Sequence, residues 1–129
     1  MIDSQKHLIE RAKHARSLAY APYSNFQVGA ALLTEDGTIF EGCNVENSSF
    51  GLTVCAERSA LLSAVSQGHR AFKAIAVITQ TNPPASPCGA CRQVLAEFAP
   101  NLPIIIASTD GQIAETNLSD LLPMQFRLK

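Results

Sequence analysis

Two short segments carry three cysteines and one glutamate whose types and spacing are suited to metal chemistry. Residues 55–57 read Cys-Ala-Glu, and residues 87–91 read Pro-Cys-Gly-Ala-Cys. Cys88 and Cys91 are three positions apart, so they lie on one face of a helical turn and can hold a single ion, with Cys55 as a third sulfur ligand. Three protein ligands leave the fourth position of tetrahedral zinc open for water, as in catalytic sites. The pattern therefore predicts a hydrolytic site with one zinc ion per chain.

Glu57 is predicted to be the catalytic residue of this site. It lies two positions from Cys55 and therefore off that ligand's helical face, which favours a neighbour of the metal over a ligand. A carboxylate beside a metal-activated water can move its proton. The backbone N–H or C=O of Ala56 is a candidate contact for the polar edge of a substrate.

Two other interpretations of the cysteines remain open at this point. Cys-x-x-Cys at a helix start is also typical of redox pairs, although the preceding proline and the separate Cys-Ala-Glu segment disfavour that interpretation. A structural zinc with Cys43 as fourth ligand would make the protein a non-catalytic zinc-stabilised module. Two observations disfavour the structural zinc. Cys43 falls inside a predicted strand, and a fourth cysteine ligand would leave no position for the water on which Glu57 would act.

Three thiolates around Zn²⁺ give a net negative site, which makes it harder to lower the pKa of the bound water. Both ligand segments are predicted to lie at helix N-termini, where backbone N–H groups stabilise thiolates. Arg58 is predicted to donate hydrogen bonds to the sulfurs and to offset their charge from outside the ligand set. Arg92 is a second candidate for the same role.

Apolar periodicity and turn residues predict the element order α-β-β-α-β-α-β-β-α. Helices are predicted over about 3–19, 55–67, 88–98 and 118–122, and strands over about 26–34, 38–45, 74–78, 103–107 and around 113. Asp36-Gly37 predicts a hairpin between the first two strands. Helix-linked strands add a parallel part, so the sheet is predicted to be mixed, with helices on both faces.

Length and composition narrow the class of protein. The 129 residues are expected to form a single domain, 1–129, and the hydrophobic fraction of 47% suits a buried core. A net charge of -1 disfavours nucleic acid or an anionic membrane as a partner. The absence of a long apolar run, a start unlike a signal peptide, and four cysteines together predict a cytoplasmic protein with reduced or metal-bound thiols.

The two cysteine segments resemble the signature of zinc-dependent cytidine deaminases, with Cys55 where many relatives have histidine. Cysteine there resembles the short, homotetrameric branch. Further similar segments are Tyr-Ala-Pro-Tyr-Ser at 20–24, Phe-Gln-Val-Gly-Ala-Ala at 26–31, Gly-Cys-Asn-Val-Glu-Asn at 42–47 and Leu-Leu-Pro at 121–123. The resemblance implies a three-layer α/β/α sandwich with a mixed five-stranded sheet. It also implies a homotetramer.

The resemblance further implies an activity. Cytidine and deoxycytidine would be hydrolysed to uridine and deoxyuridine with release of ammonia, in pyrimidine salvage. Glu57 would carry a proton from the zinc-activated water to ring N3 while C4 is attacked. A blasticidin-S-type deaminase is the nearest alternative.

Substrate contacts also follow from the resemblance. Residues that match Asn44 and Glu46 bind the ribose hydroxyls, and one that matches Phe26 packs on the nucleoside. Phe50 and Phe126 match aromatics that complete the pocket from neighbouring subunits. The negative charge of Glu46 disfavours a nearby phosphate, so free nucleosides are expected as substrates.

Overall fold

A computed structural model describes residues 3–128. Its helices are α1 (Asp3–Arg16), α2 (Ala56–Ser66), α3 (Gly89–Ala96) and α4 (Leu118–Leu121), and its strands are β1 (Gly29–Thr34), β2 (Ile39–Cys43), β3 (Phe72–Thr79), β4 (Pro103–Ser108) and β5 (Ile113–Asn117). A 3₁₀ turn, Phe50–Leu52, precedes α2. The predicted element order is confirmed. Within residues 3–128 no helix has the length and apolarity needed to span a membrane.

The five strands form one mixed sheet in the order β2-β1-β3-β4-β5. Strands β3 and β4 pair in parallel because α3 carries the chain from the end of one to the start of the other, and the remaining pairs are antiparallel. The β1–β2 hairpin turns at Gly37, whose φ of 92° is readily adopted by glycine. The mixed sheet predicted from the sequence is therefore present.

Helices cover both faces of the sheet and complete a three-layer α/β/α sandwich. Helix α1 covers one face with Leu8 and Ala12, which pack on Ala31, Ala76 and Ile105 of the sheet. The larger core lies on the opposite face, beneath α2 and α3, and its buried residues include Ala30, Leu32, Ala60, Leu61, Ile75, Val77, Leu95, Ile104 and Ile106. The alternation of the strands explains the division, since consecutive residues of β1, β3 and β4 point to opposite faces.

Gly42 of β2 lets α2 approach the sheet unusually closely. A Cβ at this position would lie 2.4 Å from the Ala60 nitrogen and 2.5 Å from the Ala56 oxygen. Gly29 of β1 allows a similarly close approach of α1 on the other face, where an added Cβ would lie 2.0 Å from the Ala12 oxygen. The close contact at Gly42 fixes the first turns of α2 against the sheet, and those turns carry the predicted catalytic residues.

Strands β1 and β2 are shorter than predicted, and beyond their ends the pairing consists of one backbone hydrogen bond, from the Asn44 nitrogen to the Val28 oxygen at 3.3 Å, and two bonds made by a side chain. The Asn44 carboxamide accepts a hydrogen bond from the Val28 nitrogen at 2.9 Å and donates to the Phe26 oxygen at 2.7 Å. The segment 26–28 is therefore held next to β2 without extending β1. This irregular segment forms one wall of the cavity described next.

Candidate metal centre and substrate cavity

The three predicted zinc ligands come together at the starts of two helices. Cys55 is the N-cap residue of α2, Cys88 is the N-cap residue of α3, and Cys91 lies in the first turn of α3. Their sulfur atoms all lie within 4.8 Å of one another, and the Cys88 and Cys91 sulfurs are 3.4 Å apart. Three converging thiols form a donor set that suits tetrahedral zinc. The residues therefore fit the ion that the sequence predicts.

The electrostatic surroundings favour thiolates. Arg58 Nη2 donates to the Cys55 sulfur at 3.3 Å. The pKa of Cys55 is lowered to about 5, first by a hydrogen bond from the Cys91 thiol and then by Arg58. The pKa of Cys91 is raised by the same thiol contact and by burial. One sulfur of the cluster is thus held as a thiolate beside a cation and a helix N-terminus.

A second donor of Arg58, its Nε–H group, also lies inside this environment. Its Nε is buried and has no hydrogen-bond partner among residues 3–128. A buried N–H group without an acceptor is unusual unless a further acceptor belongs nearby. The cluster therefore has room for additional negative charge, as a fully deprotonated set of sulfurs would supply.

Cys43 lies outside the cluster. It follows Gly42 on β2 and so points to the opposite face of the sheet, where it lines a separate hollow together with Ala15 and Leu18. Burial raises the pKa of its thiol. Among residues 3–128, the metal-ligating side chains that converge as a group are those of the three predicted ligands. The four-cysteine arrangement is not supported.

Glu57 is buried in the first turn of α2, with 5% of its surface exposed. Burial raises the pKa of its carboxyl group, and the negative charge of Cys55 raises it further. A carboxyl group whose pKa is raised is a stronger base than an ordinary glutamate and can return the proton it accepts. Glu57 lines the same cavity as two of the cysteines.

The cavity has a volume of about 220 Å³ and opens beside the two helix starts. Three of the predicted substrate contacts line it: Phe26, Asn44 and Ala56. The other lining residues are Val28, Thr53, Cys55, Glu57, Val77, Thr79, Ala85, Ser86 and Cys88. The hydroxyl groups of Thr53, Thr79 and Ser86 were not singled out from the sequence, because isolated Ser and Thr residues carry no pattern that points to a site.

Glu46 is placed beside a loop and is not among the residues that line the cavity. Its carboxylate accepts hydrogen bonds from the Tyr23 nitrogen at 2.9 Å, from the Ser24 nitrogen at 3.2 Å and from the Ser24 hydroxyl. These bonds lower the pKa of Glu46. The strand predicted over about 38–45 ends at Cys43, so Asn44 and Glu46 both lie beyond it.

The two aromatic residues predicted to reach neighbouring subunits are largely exposed. The Phe50 side chain stands edge-on to Tyr23 with ring centroids 5.9 Å apart, and 73% of the residue is exposed. Phe126 is 70% exposed, and its backbone oxygen accepts a hydrogen bond from Gln93 Nε2 at 3.3 Å. Neither side chain lines this chain's own cavity.

Arg92 does not follow the prediction that it donates to the sulfurs. Its side chain donates to the Pro87 oxygen, the Leu121 oxygen and the Ser86 hydroxyl. All three acceptors lie on segments that flank α3, so Arg92 acts on the loop that carries Cys88.

Comparisons with known proteins agree with this geometry. Residues 2–107 match a family model described as the cytidine and deoxycytidylate deaminase zinc-binding region. A cytidine deaminase from Sporosarcina psychrophila is 56% identical over 120 residues, which cover 92% of this chain and 88% of that protein. The crystal structure of cytidine deaminase from Burkholderia pseudomallei superposes with a TM-score of 0.93 at 53% identity, covering 98% of this chain and all of that one. A blasticidin-S deaminase from Bacillus cereus is 30% identical over 127 residues, covering 92% of this chain and 89% of that protein.

Proposed function

The chain belongs to the zinc-binding cytidine and deoxycytidylate deaminase family, and on that basis we propose that it hydrolyses free cytidine and deoxycytidine. The products are uridine or deoxyuridine and one ammonia per nucleoside. The observation that carries this proposal is the convergence of three cysteine sulfurs beside the buried carboxyl group of Glu57, in a cavity bordered by both.

Cys55, Cys88 and Cys91 would hold the zinc ion. Bound there, zinc would supply a Lewis acid that lowers the pKa of water. The water could then lose a proton at neutral pH and attack C4 of the base. Arg58 would partly neutralise the three sulfurs through its bond to Cys55, which counteracts the weakening of the Lewis acid by thiolate charge.

Glu57 would move the protons of the reaction. Its carboxylate would accept one proton from the attacking water and deliver it to ring N3. It would then take the second proton of that water, which is now on the hydroxyl group at C4, and pass it to the amine nitrogen at N4, so that the C–N bond breaks, ammonia leaves and the C4 carbonyl forms. Its position in the first turn of α2 and its raised pKa support this role, because a single group must both take up and release a proton.

The cavity wall would orient the nucleoside. Phe26 would pack against the base or sugar, and the backbone of Ala56 would contact the polar edge of the base. Asn44 keeps hydrogen-bonding capacity for a ribose hydroxyl, since a carboxamide has two N–H donors and two acceptor positions and only one of each is used. Glu46 would reach the ribose through its remaining acceptor positions. Among residues 3–128 the cavity lining includes no lysine or arginine, which supports nucleosides over nucleotides.

We further infer that residues 1–129 form one domain that assembles as a homotetramer. Exposed Phe50 and Phe126 would complete the cavities of neighbouring subunits, which accounts for the large apolar surfaces that both leave uncovered here. The protein would act in pyrimidine salvage in the cytoplasm, where free thiols such as the four cysteines are maintained.

Blasticidin S is the second candidate substrate, because a blasticidin-S deaminase is a relative at 30% identity. Higher identity to proteins named cytidine deaminase favours the nucleoside. Ultraviolet absorbance of zinc-loaded protein with cytidine, deoxycytidine, dCMP and blasticidin S separates these activities. We expect loss of the cytidine and deoxycytidine bands and little change with the other two. Turnover of blasticidin S alone would contradict the proposal.

A further inference from the structure

The Arg92 side chain links the loop that precedes Cys88 to the end of α4. Its Nε donates to the Pro87 oxygen at 2.7 Å, and its own backbone nitrogen donates to the Cys88 oxygen at 3.0 Å. The bond to the Cys88 oxygen is the first helical hydrogen bond of α3, and the bond to the Pro87 oxygen is the one that the arginine side chain adds to it. This arrangement fixes the direction in which the chain passes through Cys88 into α3.

The same guanidinium reaches two other segments. Its Nη2 donates to the Ser86 hydroxyl at 3.0 Å, and its Nη1 donates to the Leu121 oxygen at the end of α4 at 2.7 Å. Ser86 and Cys88 both line the cavity. The planar guanidinium with several N–H donors can bind three acceptors in fixed directions, which a lysine ammonium cannot do in the same geometry.

Simple electrostatics does not explain an arginine here. A cation near the start of a helix is disfavoured by the helix dipole. Among residues 3–128, the ion pairs do not include Arg92, so no carboxylate within salt-bridge distance compensates the charge. The hydrogen bonds to the loop are therefore the main interactions that the structure gives this side chain.

We propose that Arg92 is a positioning residue, which holds the 86–88 loop so that Cys88 stays in place to bind zinc with Cys55 and Cys91. The inference rests on the proposed zinc site but not on the identity of the substrate. Cys88 is the exposed member of the cluster and begins a helix without a side-chain cap, so its position depends on how the preceding loop is held. Arg92 would thus act on the metal through the backbone rather than through a sulfur.

The test is zinc affinity, measured by competition with a chromogenic chelator, for the wild type, Arg92→Gln and Arg92→Lys. Removal of a group that orients a ligand typically weakens metal binding by about 10- to 100-fold, and we expect Arg92→Gln to fall in this range. We expect Arg92→Lys to lie between Arg92→Gln and the wild type. Visible spectra of the Co²⁺-loaded proteins report whether the coordination geometry has changed together with the affinity.

Arg70→Gln is the matched control. Arg70 also donates to two backbone oxygens, those of Val65 and His69, but it does so at the far end of α2 from Cys55. We expect this variant to bind zinc as the wild type does. Thermal unfolding of the zinc-free proteins separates positioning from general stability, because a purely structural role for Arg92 lowers that midpoint and leaves the zinc affinity of the folded protein unchanged.

Several outcomes would overturn the inference. Wild-type zinc affinity in Arg92→Gln would show that the loop holds Cys88 without the guanidinium. Wild-type affinity in Arg92→Lys would show that positive charge alone suffices. A wild type that binds zinc but leaves cytidine unchanged would refute the proposed function, while the affinity ratio would still test Arg92. A wild type that binds no zinc would refute both.

Discussion

Helices α2 and α3 begin in a similar way but use their arginines for different purposes. Each has a cysteine at its N-cap and an arginine within the next four residues, Arg58 after Cys55 and Arg92 after Cys88. Arg58 donates to a sulfur, whereas Arg92 donates to two backbone oxygens and a hydroxyl group. The start of α2 is thus organised around charge, and the start of α3 is organised around the position of a loop.

The two helix starts are also held in place differently. The start of α2 packs directly on the sheet at Gly42, so its backbone is fixed by close contact. Helix α3 follows a loop that includes Pro83, Pro84 and Pro87, and its first ligand is exposed. A side chain that gathers several carbonyl groups can supply for α3 the rigidity that packing supplies for α2. Similar sequence patterns therefore do not imply similar roles for the arginine that follows the cysteine.

The largest effect is expected from removing Cys91, one of the three sulfurs that would hold the zinc ion between α2 and α3. Cys91→Ala should abolish stable zinc binding and deamination, because two sulfurs are too few for a stable protein-bound zinc site. Cys43→Ala is the control, and we expect it to keep one zinc ion per chain, since Cys43 lies on the other face of the sheet. Zinc content by atomic emission after gel filtration is the measurement. Loss of zinc in Cys43→Ala would restore the four-cysteine interpretation.

The second-largest effect is expected at Glu57, the proposed acid–base residue in the first turn of α2. Glu57→Gln should lower kcat by at least about 10²- to 10⁴-fold, the usual contribution of a general acid–base, while zinc content stays at one per chain. Steady-state deamination of cytidine together with metal analysis measures both quantities. Near-normal turnover by a zinc-loaded Glu57→Gln would remove Glu57 from the proton path.

A smaller effect should follow from disturbing the packing beneath α2. Gly42→Ala places a methyl group 2.4 Å from the Ala60 nitrogen, which forces the helix away from the sheet. We expect unfolding in urea to show a loss of about 1–3 kcal/mol, typical of overpacked sites. Gly89→Ala is a control at the start of α3, where an added Cβ would meet no atom of residues 3–128 within 4 Å outside the adjacent residues and the backbone of its own helix. Equal stabilities of the two variants would contradict the proposed difference between the helix starts.

The smallest effect is a change in the pKa of Cys55, which should differ between variants of Arg58 and Arg92. In the zinc-free protein this pKa lies at about 5, so the Cys55 thiolate, which reacts with iodoacetamide, should persist down to about that pH. Arg58→Gln removes a donor to the thiolate and should raise the pKa towards its ordinary value, so that reactivity is lost at a higher pH. Arg92→Gln should shift the pH profile less. Mass spectrometry of the labelled Cys55 peptide measures the rates, and equal shifts in both variants would contradict the assignment.

The sequence predicted the elements and the convergence of the three cysteines well, because these depend largely on local signals. Apolar periodicity, the Asp36-Gly37 turn and the spacing of Cys88 and Cys91 are short-range patterns, and each has its counterpart in the structure. The hydrogen bond from Arg58 to the Cys55 sulfur could also be anticipated, since helical spacing alone brings these two residues together.

Interactions between distant segments were beyond what the sequence could predict. Arg92 donates to Leu121, which is 29 positions away, and no local pattern marks that carbonyl as its acceptor. Asn44 resembles an ordinary turn residue, yet its carboxamide bridges Phe26 and Val28 beyond the end of β1. Glu46 binds the backbone at Tyr23, a contact that depends on how two loops meet.

The central claim is that both helix starts contribute sulfurs to one zinc ion and leave one position for water. Zinc K-edge X-ray absorption of the loaded wild type tests it most directly. We predict three sulfur ligands at about 2.3 Å and one lighter oxygen ligand, with the same spectrum for Cys43→Ala. Four sulfur ligands, or two sulfurs with nitrogen or oxygen ligands in place of the third, would contradict the claim.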